Sequence, residues 1–246
     1  MNKNNMEFLS EVKNMLLTFI KDINHVVFNE RNLQLYLASK LEKTGRYDEI
    51  YMEYHLPKGF NEKFDQGYEA WKTEQPSIDI VLKVKGEDKY IALELKNKLK
   101  SFDGECSRFG KTVTGVKIVK NQSAQNIGRY QFWKDVKRLE LLKESYANVI
   151  GGIALFLTND DNYLNTTSGA DYEAFGMSHE IQSGTELDWK EPYKMDKGGN
   201  FIKDKKGNKI RKYPSIKLSK GYIPEWKQDI FTITNNVKFH CCIVLV

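Results

Sequence analysis

In the segment PSIDIVLKVKGEDKYIALELK, residues 76–96, three polar residues interrupt runs of Ile, Val, Leu and Ala: Asp79, Glu94 and Lys96. Gly86 tolerates a positive φ and marks VKGEDK as a hairpin turn. With Gly86 and Glu87 at the tip, Asp79 falls opposite Glu94; a slip by two residues puts it opposite Lys96 instead. Either register keeps Ile78, Ile80, Leu82 and Val84 on one face with Ile91, Leu93 and Leu95, so both carboxylates and the lysine share the other face. Two carboxylates about 5 Å apart on rigid strands repel each other, and a partly dry setting favours their protonated forms. A divalent cation removes that penalty. Mg²⁺, with Mn²⁺ as a substitute, takes oxygen ligands and needs only one or two carboxylates, with waters and a phosphate completing its shell. Lys96 would then orient or deprotonate an attacking water, or neutralise developing charge. The plainer alternative is a half-solvated sheet on which Lys96 pairs with one of the carboxylates.

The elements around this hairpin decide what can reach it. Residues 6 to about 21 and 29–43 carry apolar residues at helical spacing; in the second, Leu33, Leu37 and Leu41 form the stripe, Asn29 is the N-cap and Gly45 the stop. Glu30 lies three and seven residues before Leu33 and Leu37, on the inward side. EIYMEYHLP reads as a strand carrying Glu53 and ended by Pro57, and residues 99–121, rich in Gly and Lys, as an irregular or mobile loop. A helix over about 123–145 and a doubly buried strand, NVIGGIALFLTND, follow. Residues 160–235 read as an insertion of loops and a hairpin, and 237–246 as the last strand of the main sheet. No internal repeat stands out.

A chain of 246 residues, 40% apolar and 29% charged, suits one domain, 1–246, with elaborations. No apolar run reaches the roughly 18 residues a membrane span requires, and the N-terminus lacks a signal-peptide core, so the expected location is cytoplasmic with no membrane partner. Cys241 and Cys242 are adjacent in a strand and point to opposite faces, and Cys106 stands alone, which argues against a disulfide framework. His25, His55, His179 and His240 are scattered and give no metal-ligand spacing. The net charge of +5 is compatible with a polyanionic partner without demanding one.

The order helix, strand, strand, strand, helix, strand, together with PSID and ELK, resembles the PD-(D/E)XK nuclease superfamily, the restriction-endonuclease-like fold. The resemblance covers roughly 25–158 and the final strand. It implies an α/β fold with a mixed sheet on an αβββαβ core, and Mg²⁺-dependent hydrolysis of phosphodiester bonds in DNA, with restriction or defence as a role known from the family alone. Pro76 and Asp79 match the first half of the motif, although two residues separate them, and Glu94, Leu95 and Lys96 match the second. The family often adds a glutamate from the first core helix, a place that Glu30 occupies, and Glu53 is a further metal-ligand candidate. From the helix after the core the resemblance offers Gln125, Arg129 and Gln131. Lys98, Lys100, Arg108, Lys111, Lys117 and Lys120 would follow the nucleic-acid backbone, and Asp135 with Arg138 reads as a local ion pair. Two further expectations stand beside this: a catalytically inactive nucleic-acid-binding or assembly module on the same fold, and a homodimer formed through the terminal strand or the 160–235 segment.

Overall fold

Side-chain alternation along the central strands sets which of two cores each residue joins. The computed structural model describes residues 3–68, 71, 75–122, 124–233 and 236–246. Its elements are α1 (Lys3–Lys21), α2 (Glu30–Glu42), β1 (Tyr47–His55), α3 (Glu62–Tyr68), β2 (Ser77–Val84), β3 (Tyr90–Lys98), β4 (Phe102–Arg108), β5 (Lys111–Val119), α4 (Gln125–Ser145), β6 (Val149–Thr158), β7 (Glu186–Leu187), β8 (Ile216–Lys217), β9 (Glu225–Ile233) and β10 (Val237–Leu245). Six strands form one mixed sheet in the order β1-β2-β3-β6-β10-β9, parallel only between β3 and β6. A parallel neighbour requires a crossover, and α4 lies within it. With helices over both faces, the architecture is mixed α/β.

On one side, Leu9, Val12 and Leu16 of α1 and Leu33, Leu37 and Leu41 of α2 pack on Ile80, Leu82, Ile91, Leu93, Leu95, Ile153 and Leu155. On the other, Phe132, Trp133, Val136 and Leu139 of α4 pack on Val81, Ala92, Ala154 and Phe156. The adjacent cysteines follow the same rule: both are free and buried, Cys241 in the first core and Cys242 in the second. Gly151 and Gly152 thin β6 where helices press closest. A Cβ at Gly151 would meet Leu9 Cδ1 at 2.2 Å, and one at Gly152 would meet Leu139 at 2.9 Å.

Two segments differ from their reading in sequence. Residues 102–119 form a hairpin rather than an irregular loop, turned by Phe109 and Gly110, both at positive φ, as a two-residue I′-type turn requires. The 160–235 segment is not wholly outside the sheet either: β9 forms its edge, so the elaboration ends near 224. Its apolar residues, Phe175, Met177, Leu187, Trp189, Leu218 and Tyr222, complete the α4-side core instead of building their own. Within it, Asp196 and Asp204 head two copies of the pattern D-K-x-G-N-x-I, eight residues apart.

Buried Glu140 of α4 ties this elaboration down. It accepts from Ser219 N (2.9 Å), Lys220 N (3.0 Å) and Tyr222 Oη (2.8 Å) and pairs with Lys137 at 3.0 Å. Charge-assisted bonds of this kind are the stronger ones. A Glu140→Gln variant is therefore expected to lose about 1.5–3 kcal/mol in urea unfolding, with proteolysis first attacking 160–224.

Candidate active site

The hairpin pairs as the first register requires, from Ile80 opposite Leu93 to Lys83 opposite Tyr90. Beyond Ile80 the ladder stops, because its next hydrogen-bonding groups are taken by side chains. The Asp79 carboxylate accepts the Leu95 N–H at 2.6 Å, and Gln34 of α2 donates to the Asp79 carbonyl. The same amide donates to Glu53 at 3.1 Å. Glu53 has φ 52°, a left-handed conformation within β1 between Met52 and Tyr54, both paired with β2 in one register. One consequence corrects the expected face of Ile78, which joins the α4-side core once β2 leaves the ladder.

Into this opening β3 points Glu94 and Lys96. Lys96 Nζ lies 3.0 Å from Asp135 of α4 and 3.4 Å from Glu30, the first residue of α2. Arg138, almost one turn after Asp135, reaches Glu94 at 2.8 Å, Asp135 at 3.4 Å and the Ser77 carbonyl at 3.1 Å. The N-cap is as read: Asn29 accepts from Asn32 N at 2.9 Å and so fixes where α2 starts, and with it Glu30. Asp135 and Arg138 are thus more than a local ion pair. Their signal was present in the sequence, since Gln131, Asp135 and Arg138 at i, i+4 and i+7 share one helical stripe.

Burial dominates the electrostatics. Glu94 and Asp135 are each 1% exposed. Burial raises the Asp79 carboxyl to about 7 against the pull of Lys96, with Glu30 and Asp135 adding to the rise. Glu94 is raised well above the carboxylate range by burial, then by the Asp135 and Asp79 charges, and Asp135 is raised by burial against the pull of Lys96. Burial also works to lower Lys96, but Asp135, Glu30, Asp79 and Glu94 together overcome it and raise its pKa. Burial lowers Arg138 to about 10, which leaves it protonated at neutral pH. Lys96 is therefore an ammonium here, suited to orienting a group or neutralising charge rather than to taking a proton.

Four carboxyl groups, Glu30, Asp79, Glu94 and Asp135, face two cations, Lys96 and Arg138, so these six side chains carry a formal charge of −2 when fully ionised. Glu94 Oε1 is satisfied by Arg138, whereas its buried Oε2 has no donor among the described residues. A shared proton or a cation satisfies an oxygen so placed. Among the described residues no group of three or more His, Cys, Asp or Glu is arranged to hold a metal. Asp79 and the open oxygen of Glu94 are the two carboxylate donors that an Mg²⁺ ion keeping several waters would require here.

The remaining candidates separate. Glu53 joins the site only through Gln34; Arg31 holds its carboxylate at 3.0 Å, and it lines a different groove of about 790 Å³ under β1. Lys98 is half-buried, its pKa lowered by burial, and with Lys100 and Gln125 lines a polar cavity of about 310 Å³. Gln125 donates to Asp160 at 2.8 Å. Arg129 is buried, donating to the Asn162 carbonyl at 2.7 Å with its guanidinium over the Tyr163 ring, so it braces the segment after β6. Gln131 Oε1 is buried without a partner among the described residues. Lys111 is exposed in the β4–β5 hairpin, and Arg108 belongs to the same hairpin, with its side chain outside the described set. No helix among the described residues is long and apolar enough to cross a membrane. Comparison with protein-family models, curated proteins and solved structures yields no match to this chain.

Proposed function

We propose that this chain is a Mg²⁺- or Mn²⁺-dependent nuclease of the PD-(D/E)XK type that hydrolyses phosphodiester bonds in DNA. The observation that carries the reading is the buried Oε2 of Glu94, which has no donor among the described residues, on a strand that also presents Lys96 beside Asp135 and Glu30. The order α2-β1-β2-β3-α4-β6, with α3 added between β1 and β2 and the β4–β5 hairpin between β3 and α4, supports the restriction-endonuclease-like form of the fold. Asp79 and Glu94 would hold the ion. When bound, it supplies Lewis-acid stabilisation of phosphoryl charge and lowers the pKa of water. Glu30 and Asp135 hold the Lys96 ammonium in place, where it orients the attacking water or the scissile phosphate, and Arg138 fixes one oxygen of Glu94 so that the other is presented.

One arrangement favours a second reading, an inactive nucleic-acid-binding or assembly module: Arg138 and Lys96 already serve as internal counter-cations for Glu94 and Asp135. Calorimetric titration with Mn²⁺ at pH 8 separates the two. The nuclease reading expects saturable binding that weakens by about tenfold or more in Asp79→Asn, a loss of about 1.4 kcal/mol. Wild-type protein that takes up no Mn²⁺ would favour the inactive module.

A further inference from the structure

The net positive charge of the chain is concentrated in one element. Residues 194–212 hold eight Lys or Arg against two Asp, a net of +6, whereas the whole chain is +5; everything else sums to −1. Both aspartates are committed internally. Asp196 accepts from Gly198 N (2.8 Å) and Asn200 N (2.9 Å), and Asp204 from Lys206 N and Asn208 N (both 2.9 Å). These backbone bonds lower the pKa of each, so the carboxylates fold the turns.

The eight-residue spacing closes a ring of backbone hydrogen bonds. Ile202 N donates to the Lys194 carbonyl (2.9 Å), Ile210 N to the Ile202 carbonyl (2.9 Å), and Lys194 N to the Ile210 carbonyl (2.8 Å). Every residue from 194 to 209 is exposed, so this order is achieved without a core of its own. The ring is mounted on the rest of the protein through aromatics: Tyr213 lies 5.6 Å from Trp189 and 5.0 Å from Tyr130 of α4, the helix that also carries Asp135 and Arg138. Arg211 and Lys212 pair with Asp188 and Asp171 at its base. Lys194, Lys197, Lys203, Lys205, Lys206 and Lys209 have no ion-pair partner among the described residues.

We infer that this lysine ring is the principal phosphate-binding surface of the protein and that its partner is the nucleic-acid backbone. The inference rests on the nucleic-acid reading above but not on catalysis. Six unpaired lysines on a preformed framework match a periodic polyanion, whose affinity comes from counterion release. An anionic bilayer is the weaker fit. Insertion requires a continuous apolar face, whereas the exposed Met195, Phe201 and Ile202 stand among lysines, and the Phe201 ring lies under the Lys209 ammonium at 3.7 Å, with Tyr193 at 5.3 Å from it.

The test is fluorescence anisotropy with a labelled DNA duplex and a labelled single strand in EDTA, across a series of salt concentrations. Lys203, Lys205, Lys206 and Lys209 are replaced together by Ala; a charge-matched control replaces exposed Lys21, Lys43, Lys58 and Lys85. The ring variant should bind much more weakly and lose about three to four from the slope of log K against log salt, at about 0.9 per phosphate contact on duplex DNA. The control variant should keep the wild-type slope, and replacement of the four ring residues by Arg should restore it, which excludes mere unfolding. Equal slopes for the ring variant and wild type would overturn the inference. So would wild type that binds neither DNA, or that sediments only with phosphatidylserine vesicles. Wild type that binds in EDTA yet never cleaves with metal would leave this inference standing and remove the nuclease reading.

Discussion

Lys96→Ala is expected to cost about 3–5 kcal/mol of stability at pH 8 and to reduce DNA cleavage by roughly 10²–10³-fold. The lysine is the shared partner of Asp135 and Glu30, and Asp135 is buried. Removing one member of a buried pair strands the other charge, which is the expensive way to break it. The pH dependence has a definite sign. Because the folded pKa of Lys96 is raised above the unfolded value, its stabilisation is present throughout neutral pH and would be lost only as pH rises through that folded pKa. In acid its partners change instead. Asp79, Glu94 and Asp135 all have raised pKa values and take up protons earlier than free carboxyls, so the cost of the variant should shrink toward pH 5. Urea unfolding of both proteins at the two pH values measures this.

Asp79→Asn should act in the opposite direction on stability and in the same direction on cleavage. The unfolded carboxyl titrates near 3.8 and the folded one near 7, so between these values the native state binds the extra proton. Stability of the metal-free protein must then fall as pH rises through that window. A difference of this size caps the effect at about 4 kcal/mol, and sharing of protons with Glu94 spreads it over a wider range. Asparagine retains an acceptor for Leu95 N–H and removes the charge. The variant should melt about 5–10 °C above wild type at pH 8.5 in EDTA, and the gap should close near pH 4. Added Mg²⁺ should raise the melting temperature of wild type but leave the variant unchanged. A variant less stable than wild type at pH 8.5 would show that the Asp79 charge is already compensated within the chain.

The parts of this arrangement legible in the sequence are those governed by local pattern. Alternation of Ile, Val and Leu fixed which side chains share a face up to Ile80 and left two registers, of which the pairing is the one with Gly86 and Glu87 at the tip, and the Asn29 cap with the leucine stripe placed Glu30. What escaped was decided by distant partners. Asp135 and Arg138 read equally well as a surface pair until α4 is laid against β3, and only the buried ends of Lys96 and Glu94 distinguish the two cases. Arg129, read as a basic residue for DNA, is bound by carbonyls more than thirty positions away. The glycines of 99–121 suggested irregularity, yet Gly110 makes a hairpin turn. The repeat at 194–212 is only two copies of D-K-x-G-N-x-I in a lysine-rich stretch, and the backbone bonds between the copies are what set it apart.

The most direct measurement is cleavage of plasmid and single-stranded DNA with Mg²⁺ or Mn²⁺, comparing wild type with Asp79→Asn and Lys96→Ala protein purified identically. The account predicts metal-dependent cutting by wild type and its loss in both variants, with Asp79→Asn at least as well folded as wild type. Equal cutting by all three, or none by wild type with either ion, would contradict it.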